Sequence, residues 1–183
     1  MLKWIARRRL AAFEREFDYD ASYLHRMLDV SWQGFLRFAP MMKLAAHRED
    51  VPPAAWYAAK IVVSLAEDCG PCTQLGVTMA EREGVPQPVL RGILAGDEKA
   101  MGSDAALAAR FARATLAHDP AADVWREQIV QRWGERALLS LALAIAAVRV
   151  FPTVKYALGH GKACSRIRVG NMETRPAPSA APA

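Results

Sequence analysis

The sequence predicts an all-α protein, and three observations carry that expectation. Hydrophobic residues make up 52% of the chain, swollen by alanine, while runs of Val, Ile, Thr and Tyr that would form strands are scarce. Apolar residues recur at three- and four-residue spacing through most of the chain. Proline, glycine and capping residues punctuate it at intervals that suit helices. No strand and no short-period repeat is visible. At 183 residues the chain is long enough for one domain with a real core.

In chain order, Lys3 to Phe17 reads as the first helix, with Trp4, Ile5, Phe13 and Phe17 near one side. Asp20 is a suitable N-cap for a second, over residues 21–38. Pro40 starts a short helix ending near His47, and Val51-Pro52-Pro53 is a stop and a start. Residues 54–67 follow, with Trp56, Ala59, Val63 and Ala66 at helical spacing. The next helix runs from Pro71 to Glu83 and stops at Gly84, whose freedom at positive φ suits a helix end. Val85-Pro86 opens a short helix to Leu94, and residues 96–102 form a loop. Ser103 caps a helix over 104–117, and Pro120 opens another through Trp133. Gly134 begins a long apolar helix to Val150. Pro152 kinks or restarts it, and residues 154–163 continue it. Gly159 and Gly161 flank His160 and mark a helix end or a close backbone approach. The expected organisation is an N-terminal helical extension over 1–50, a helical core over 51–168, and a disordered Pro/Ala-rich tail over 169–183.

Three cysteines cannot all pair within one chain, which argues against a disulfide-stapled secreted domain and for a reducing, cytoplasmic setting. Lys3, Arg7, Arg8 and Arg9 lack the long apolar stretch of a signal peptide behind them. The longest apolar run, Ala137 to Val148, is too short to span a bilayer and reads as a buried helix. The net charge of +5 is concentrated at the two ends. It forms no basic stripe with interleaved aromatics, so nucleic acid is not an expected partner. The basic first helix suits a partner or an anionic membrane surface better.

Two of the cysteines stand in Glu67-Asp68-Cys69-Gly70-Pro71-Cys72. If a helix starts at Pro71, its unpaired N–H groups and its dipole point at the sulfurs and favour thiolate, the reactive form. Cys69 and Cys72 are therefore the candidate redox couple. Glu67 is the nearest carboxylate that could take the thiol proton, and His160 is the other candidate acid or base. A competing reading gathers Cys69, Cys72, His160 and Cys164 as a Cys3His metal set. A third is a helical assembly protein without chemistry. Whichever reading holds, Leu10, Phe13, Phe17, Trp32 and Phe35 are candidates for an oligomer interface or extra core.

Cys69-x2-Cys72 followed by Ala80 and Gly84 resembles the core hairpin of the carboxymuconolactone decarboxylase and alkylhydroperoxidase-D-like superfamily. Trp56 to Ala66 is similar to its preceding helix. Asp104-Ala105-Ala106-Leu107 with Phe111 and Thr115-Leu116 is similar to its following helix, and Gly134 to Ala146 to its last apolar helix. The resemblance spans residues 53–151 and implies an all-α fold, assembly as a homo-oligomer (trimer or hexamer), no cofactor, and a dithiol/disulfide couple. That couple would reduce a hydroperoxide or a partner protein's disulfide. The decarboxylase members need no cysteine pair. Redox members carry a histidine four residues after the second cysteine, where this chain has Gly76, and a glutamate on the preceding helix, where it has Tyr57. Glycine inside a helix costs roughly 1 kcal/mol against alanine, so a packing reason is expected at Gly76. The expectation is that the His160–Cys164 segment approaches the Cys-x-x-Cys helix there.

Overall fold

The structure is a computed structural model that describes residues 2–162 and 166–177. Its helices are α1 (Leu2–Phe17), α2 (Ser22–Val30), α3 (Trp32–Phe38), α4 (Pro40–Ala46), α5 (Pro53–Ala66), α6 (Gly70–Arg82), α7 (Gln87–Ala95), α8 (Glu98–Ala117), α9 (Ala121–Trp133) and α10 (Glu135–Ala157). A short hairpin, β1 (Ile167–Val169) and β2 (Met172–Thr174), follows them. The all-α class holds.

The core is organised on α5. Its fourteen residues are apolar almost all round, as a helix covered on every side must be. It packs against α6, α7, α8 and α10. Ile61 and Val63 of α5, Leu90 and Ile93 of α7, Ala108 of α8 and Leu141 of α10 are all buried in one cluster. α1 to α3 build a second cluster from Leu10, Tyr23, Leu24, Leu28 and Phe35, which rests on Leu75 of α6 and on Val154 and Leu158 at the end of α10. Phe13, Phe17 and Trp32 are half-buried against it and so act as extra core, whereas Trp4 is exposed.

α10 is long and apolar enough, by length and composition, to cross a membrane. Here it is a core helix: Ala137, Leu141, Ala144, Ile145 and Val148 are buried. On its outer side Arg136 pairs with Glu49 and Asp50, and Arg149 with Glu67.

Four boundaries differ from the sequence reading. The expected single helix over 21–38 breaks at Ser31, whose backbone is extended (φ −149°, ψ 104°). Its hydroxyl accepts the Gly34 N–H at 2.9 Å, so Ser31 caps α3 instead of continuing α2. The loop expected over 96–102 is partly helical, because Asp97 caps α8 early by accepting from Lys99 and Ala100 N–H groups. α10 runs unbroken through Pro152 to Ala157 and ends there, short of the expected residue 163. The tail expected to be disordered from residue 169 instead turns at Gly170-Asn171 into β2, which pairs Val169 with Met172 and Ile167 with Thr174. Ile167 and Val169 are buried in the main cluster, and that burial holds the hairpin on the helices.

Candidate active site

The Cys-x-x-Cys element lies where α5 turns into α6. Asp68 takes a left-handed conformation (φ 47°), which aspartate tolerates. Cys69 is the N-cap of α6: its backbone is extended and its Sγ accepts the Cys72 N–H at 3.3 Å. The two cysteines are joined as a disulfide, with Cα atoms 5.3 Å apart. Backbone bonds fix the element on both sides. Cys69 N–H donates to the Ser64 carbonyl at 3.0 Å, and Gly70 N–H donates to the Lys162 carbonyl at 3.1 Å. Both the N–H and the hydroxyl of Thr73 donate to the Cys69 carbonyl.

The two sulfurs have different surroundings. Cys69 is 0% exposed, whereas Cys72 is 9% exposed and forms part of the wall of a cavity of about 480 Å³. That volume is within the usual range for small-molecule sites, about 300–1,000 Å³. The walls are mostly apolar, with Phe13, Phe17, Leu75, Met79, Val148 and Phe151 among them, and α2, α4 and α5 contribute alongside α1, α6 and α10.

A small set of polar groups is built into the same wall. Tyr57 donates its hydroxyl to Glu83 Oε1 at 2.6 Å, and Arg48 donates to Glu83 Oε2 at 2.6 Å. Burial raises the Tyr57 phenol above its ordinary range, and the facing Glu83 raises it further. Burial also raises the Glu83 carboxyl, but hydrogen bonds from Tyr57 and Arg48 outweigh that and leave it below its ordinary value. Lys60 donates to the Ala45 carbonyl at 2.9 Å, and its ammonium lies 3.7 Å from the centre of the Trp56 ring. Desolvation lowers the Lys60 ammonium to about 8; Glu83 opposes the shift and Arg48 adds to it. The indole N–H of Trp56 is buried without an acceptor among the described residues.

The other sequence candidates have different partners. Glu67 accepts from Arg149 Nε at 2.8 Å and is thereby tied to α10. His160 lies beyond the end of α10, and its Nδ1 is 2.9 Å from Ser22 Oγ on α2. The close approach at Gly76 belongs to another residue. A methyl added there would meet Ile61 Cγ1 of α5 at 3.2 Å, so Gly76 allows α5 and α6 to pack closely. The segment after α10 meets α6 at Gly70 instead, through the Lys162 carbonyl. Gly161 is the close approach expected beside His160: a Cβ there would come within 2.2 Å of the Tyr156 ring. Cys164 lies outside the described residues, and among those described no three His, Cys, Asp or Glu side chains gather as a metal set.

Sequence reasoning missed Lys60, Glu83 and Arg48. The signal for Lys60 was its position as the lone charge in a helix that is otherwise apolar, Ser64 apart, from Ala54 to Ala66, between Trp56-Tyr57 and Ile61-Val62-Val63. Glu83 and Arg48 meet only through the fold and had no local signal. Comparison with family models, with curated proteins and with solved structures finds no match.

Proposed function

We propose that this chain is a thiol–disulfide oxidoreductase of the alkylhydroperoxidase-D-like type, with Cys69 and Cys72 as its couple. One observation carries the reading: at a helix N-terminus one sulfur is sealed as a cap, while the other borders a cavity of ligand size. A buffer-exposed structural pair would need no such cavity.

In the reduced form the Cys72 thiolate attacks the terminal oxygen of a hydroperoxide. The O–O bond breaks, the alkoxide leaves and is protonated to the alcohol, and Cys72 becomes a sulfenic acid. The Cys69 thiolate then displaces hydroxide from the Cys72 sulfur, the S–S bond forms, and water departs. Two thiols are oxidised and the hydroperoxide is reduced by two electrons. A dithiol reductant restores the couple by exchange, and a partner protein's disulfide can be reduced by the same exchange in reverse. Lys60, whose ammonium burial lowers to about 8 in the same cavity, is a candidate proton donor to the alkoxide. Glu67 and His160, committed to Arg149 and Ser22, are weaker candidates for that role. The reading calls for a reducing compartment, the cytoplasm, and the resemblance adds a trimer or hexamer, which light scattering reads directly.

The test is a thiol titration of reduced protein before and after cumene hydroperoxide, with and without chelator. The couple should lose two thiols per hydroperoxide consumed, regardless of chelator. Cys69→Ser should stop at a sulfenic acid that dimedone traps on Cys72. A pair that stays fully alkylatable after hydroperoxide would overturn the proposal.

A further inference from the structure

The thiol chemistry asks only a proton of Lys60 and does not account for a lysine ammonium set in this apolar wall. An ammonium set in an apolar wall is costly unless something neutralises it, and a methionine of similar reach would fill the same space without that cost. The other charges of the wall are already matched. Arg82 pairs with Glu16 at 2.8 Å, and Glu83 is taken by Arg48 and Tyr57. No carboxylate of the described residues reaches ion-pair distance of Lys60; its neighbours are the Ala45 carbonyl and the faces of Trp56 and Tyr57. The cavity therefore combines an apolar body with one ammonium that has no ion-pair partner among the described residues, Glu83 acting on it only from a distance.

We infer that the cavity binds a small apolar molecule carrying a carboxylate, with the carboxylate on Lys60 and the hydrocarbon body along Phe17, Leu75, Met79 and Phe151. A lysine ammonium is a compact point charge with freely rotating donors, suited to a single carboxylate that enters along an apolar channel. Trp56, under the ammonium, fixes its position. The assignment shares its wall with the proposed redox couple through Cys72 but does not require turnover. Binding is measured on the disulfide form without reductant, so an inert thiol couple would leave it standing.

The test is calorimetric titration of the disulfide form with decanoate, decanol and decylamine, which share a body and differ in head group. Decanoate should bind about tenfold or more tightly than decanol, and decylamine more weakly still. Lys60→Met should abolish the preference for decanoate while leaving decanol binding in place. A second arm uses the unaltered protein. Decanoate affinity should fall as pH rises from 7 to 10 and Lys60 loses its proton, with Glu83, Arg48 and Tyr57 as the other ionisable groups facing it. Decanol affinity should hold. Equal binding of decanoate and decanol, an undiminished preference in Lys60→Met, pH-independent decanoate binding, or no saturable decanoate binding would each overturn the inference.

Discussion

The phenol of Tyr57 and the carboxylate of Glu83 meet at 2.6 Å and join the first half of α5 to the end of α6. The bond spans the cavity wall and is reinforced from outside by Arg48. Tyr57→Phe keeps the ring and removes the donor, so it should cost about 1–2 kcal/mol at neutral pH. Glu83 is held below its ordinary value in the folded state. Its share of stability is therefore present above the unfolded carboxylate pKa of about 4.3 and is lost as pH falls through the lower folded value. Urea denaturation of both proteins from pH 7 down to 3 should show the Tyr57→Phe penalty shrinking over that window.

After reduction, the sulfur on the cavity should react first. Cys69 is sealed at 0% exposure and Cys72 is not, so iodoacetamide should modify Cys72 well before Cys69. Peptide mass spectrometry over a labelling time course distinguishes the two. Preferential labelling of Cys69 would reverse the assigned roles.

Two lysines set among aromatic rings should give the stability an alkaline optimum. Lys60 and Lys155 are both lowered to about 8, chiefly by burial. Lys155 lies 4.2 Å from the Tyr19 ring and 5.1 Å from that of Tyr23, with Asp20 and Lys162 as its charged neighbours. Between about pH 8 and the unfolded lysine value of about 10.4, the folded state has released these protons while the unfolded chain still holds them, so stability rises with pH. Above about 10 the buried tyrosines reverse the trend. Burial raises Tyr19 and Tyr23, so the unfolded phenols ionise first. Melting temperature should therefore peak at about pH 9–10. Lys155→Met should raise it at pH 7 by about 2–4 °C and flatten the rise between 8 and 10.

Glycines on either side of His160 should respond unequally to alanine. At Gly161 the new methyl would collide with the Tyr156 ring, whose hydroxyl holds the Asp68 carbonyl at 2.9 Å. Gly161→Ala should cost about 1–3 kcal/mol by displacing that ring. It should also loosen the loop that delivers the Lys162 carbonyl to Gly70, read as faster amide exchange at Gly70. Gly159 has open space around it and a φ of 77°, so Gly159→Ala should cost only about 1 kcal/mol, from backbone strain alone.

What the sequence revealed, and what it hid, follows from how local each signal is. α5, α6, α9 and the start of α10 were legible because proline or glycine stands at their ends and apolar spacing fills their interiors. The break at Ser31 was hidden because apolar residues continue at helical spacing on both sides of it, and only the Ser31–Gly34 cap shows where one helix stops. The hairpin had a signal: Gly170-Asn171 between Ile-Arg-Val and Met-Glu-Thr is a two-residue turn between short alternating runs. The proline and alanine that follow outweighed it. At the site, the spacing of Cys69 and Cys72 spoke for itself, but the cavity that Cys72 borders is walled in part by α1 and α10, which are far away in sequence.

The order in which the chain is made bears on the second cluster. α1 to α3 carry Leu10, Tyr23, Leu24, Leu28 and Phe35, yet the surfaces they rest on include Leu75, Val154 and Leu158. On a ribosome adding about 5–20 residues per second, the end of α10 follows α4 by roughly 5–20 s. For that interval the N-terminal helices have emerged without their seat, their aromatic faces open to water and to other nascent chains. Yield should therefore respond to chaperone supply during synthesis as well as to the stability of the finished fold.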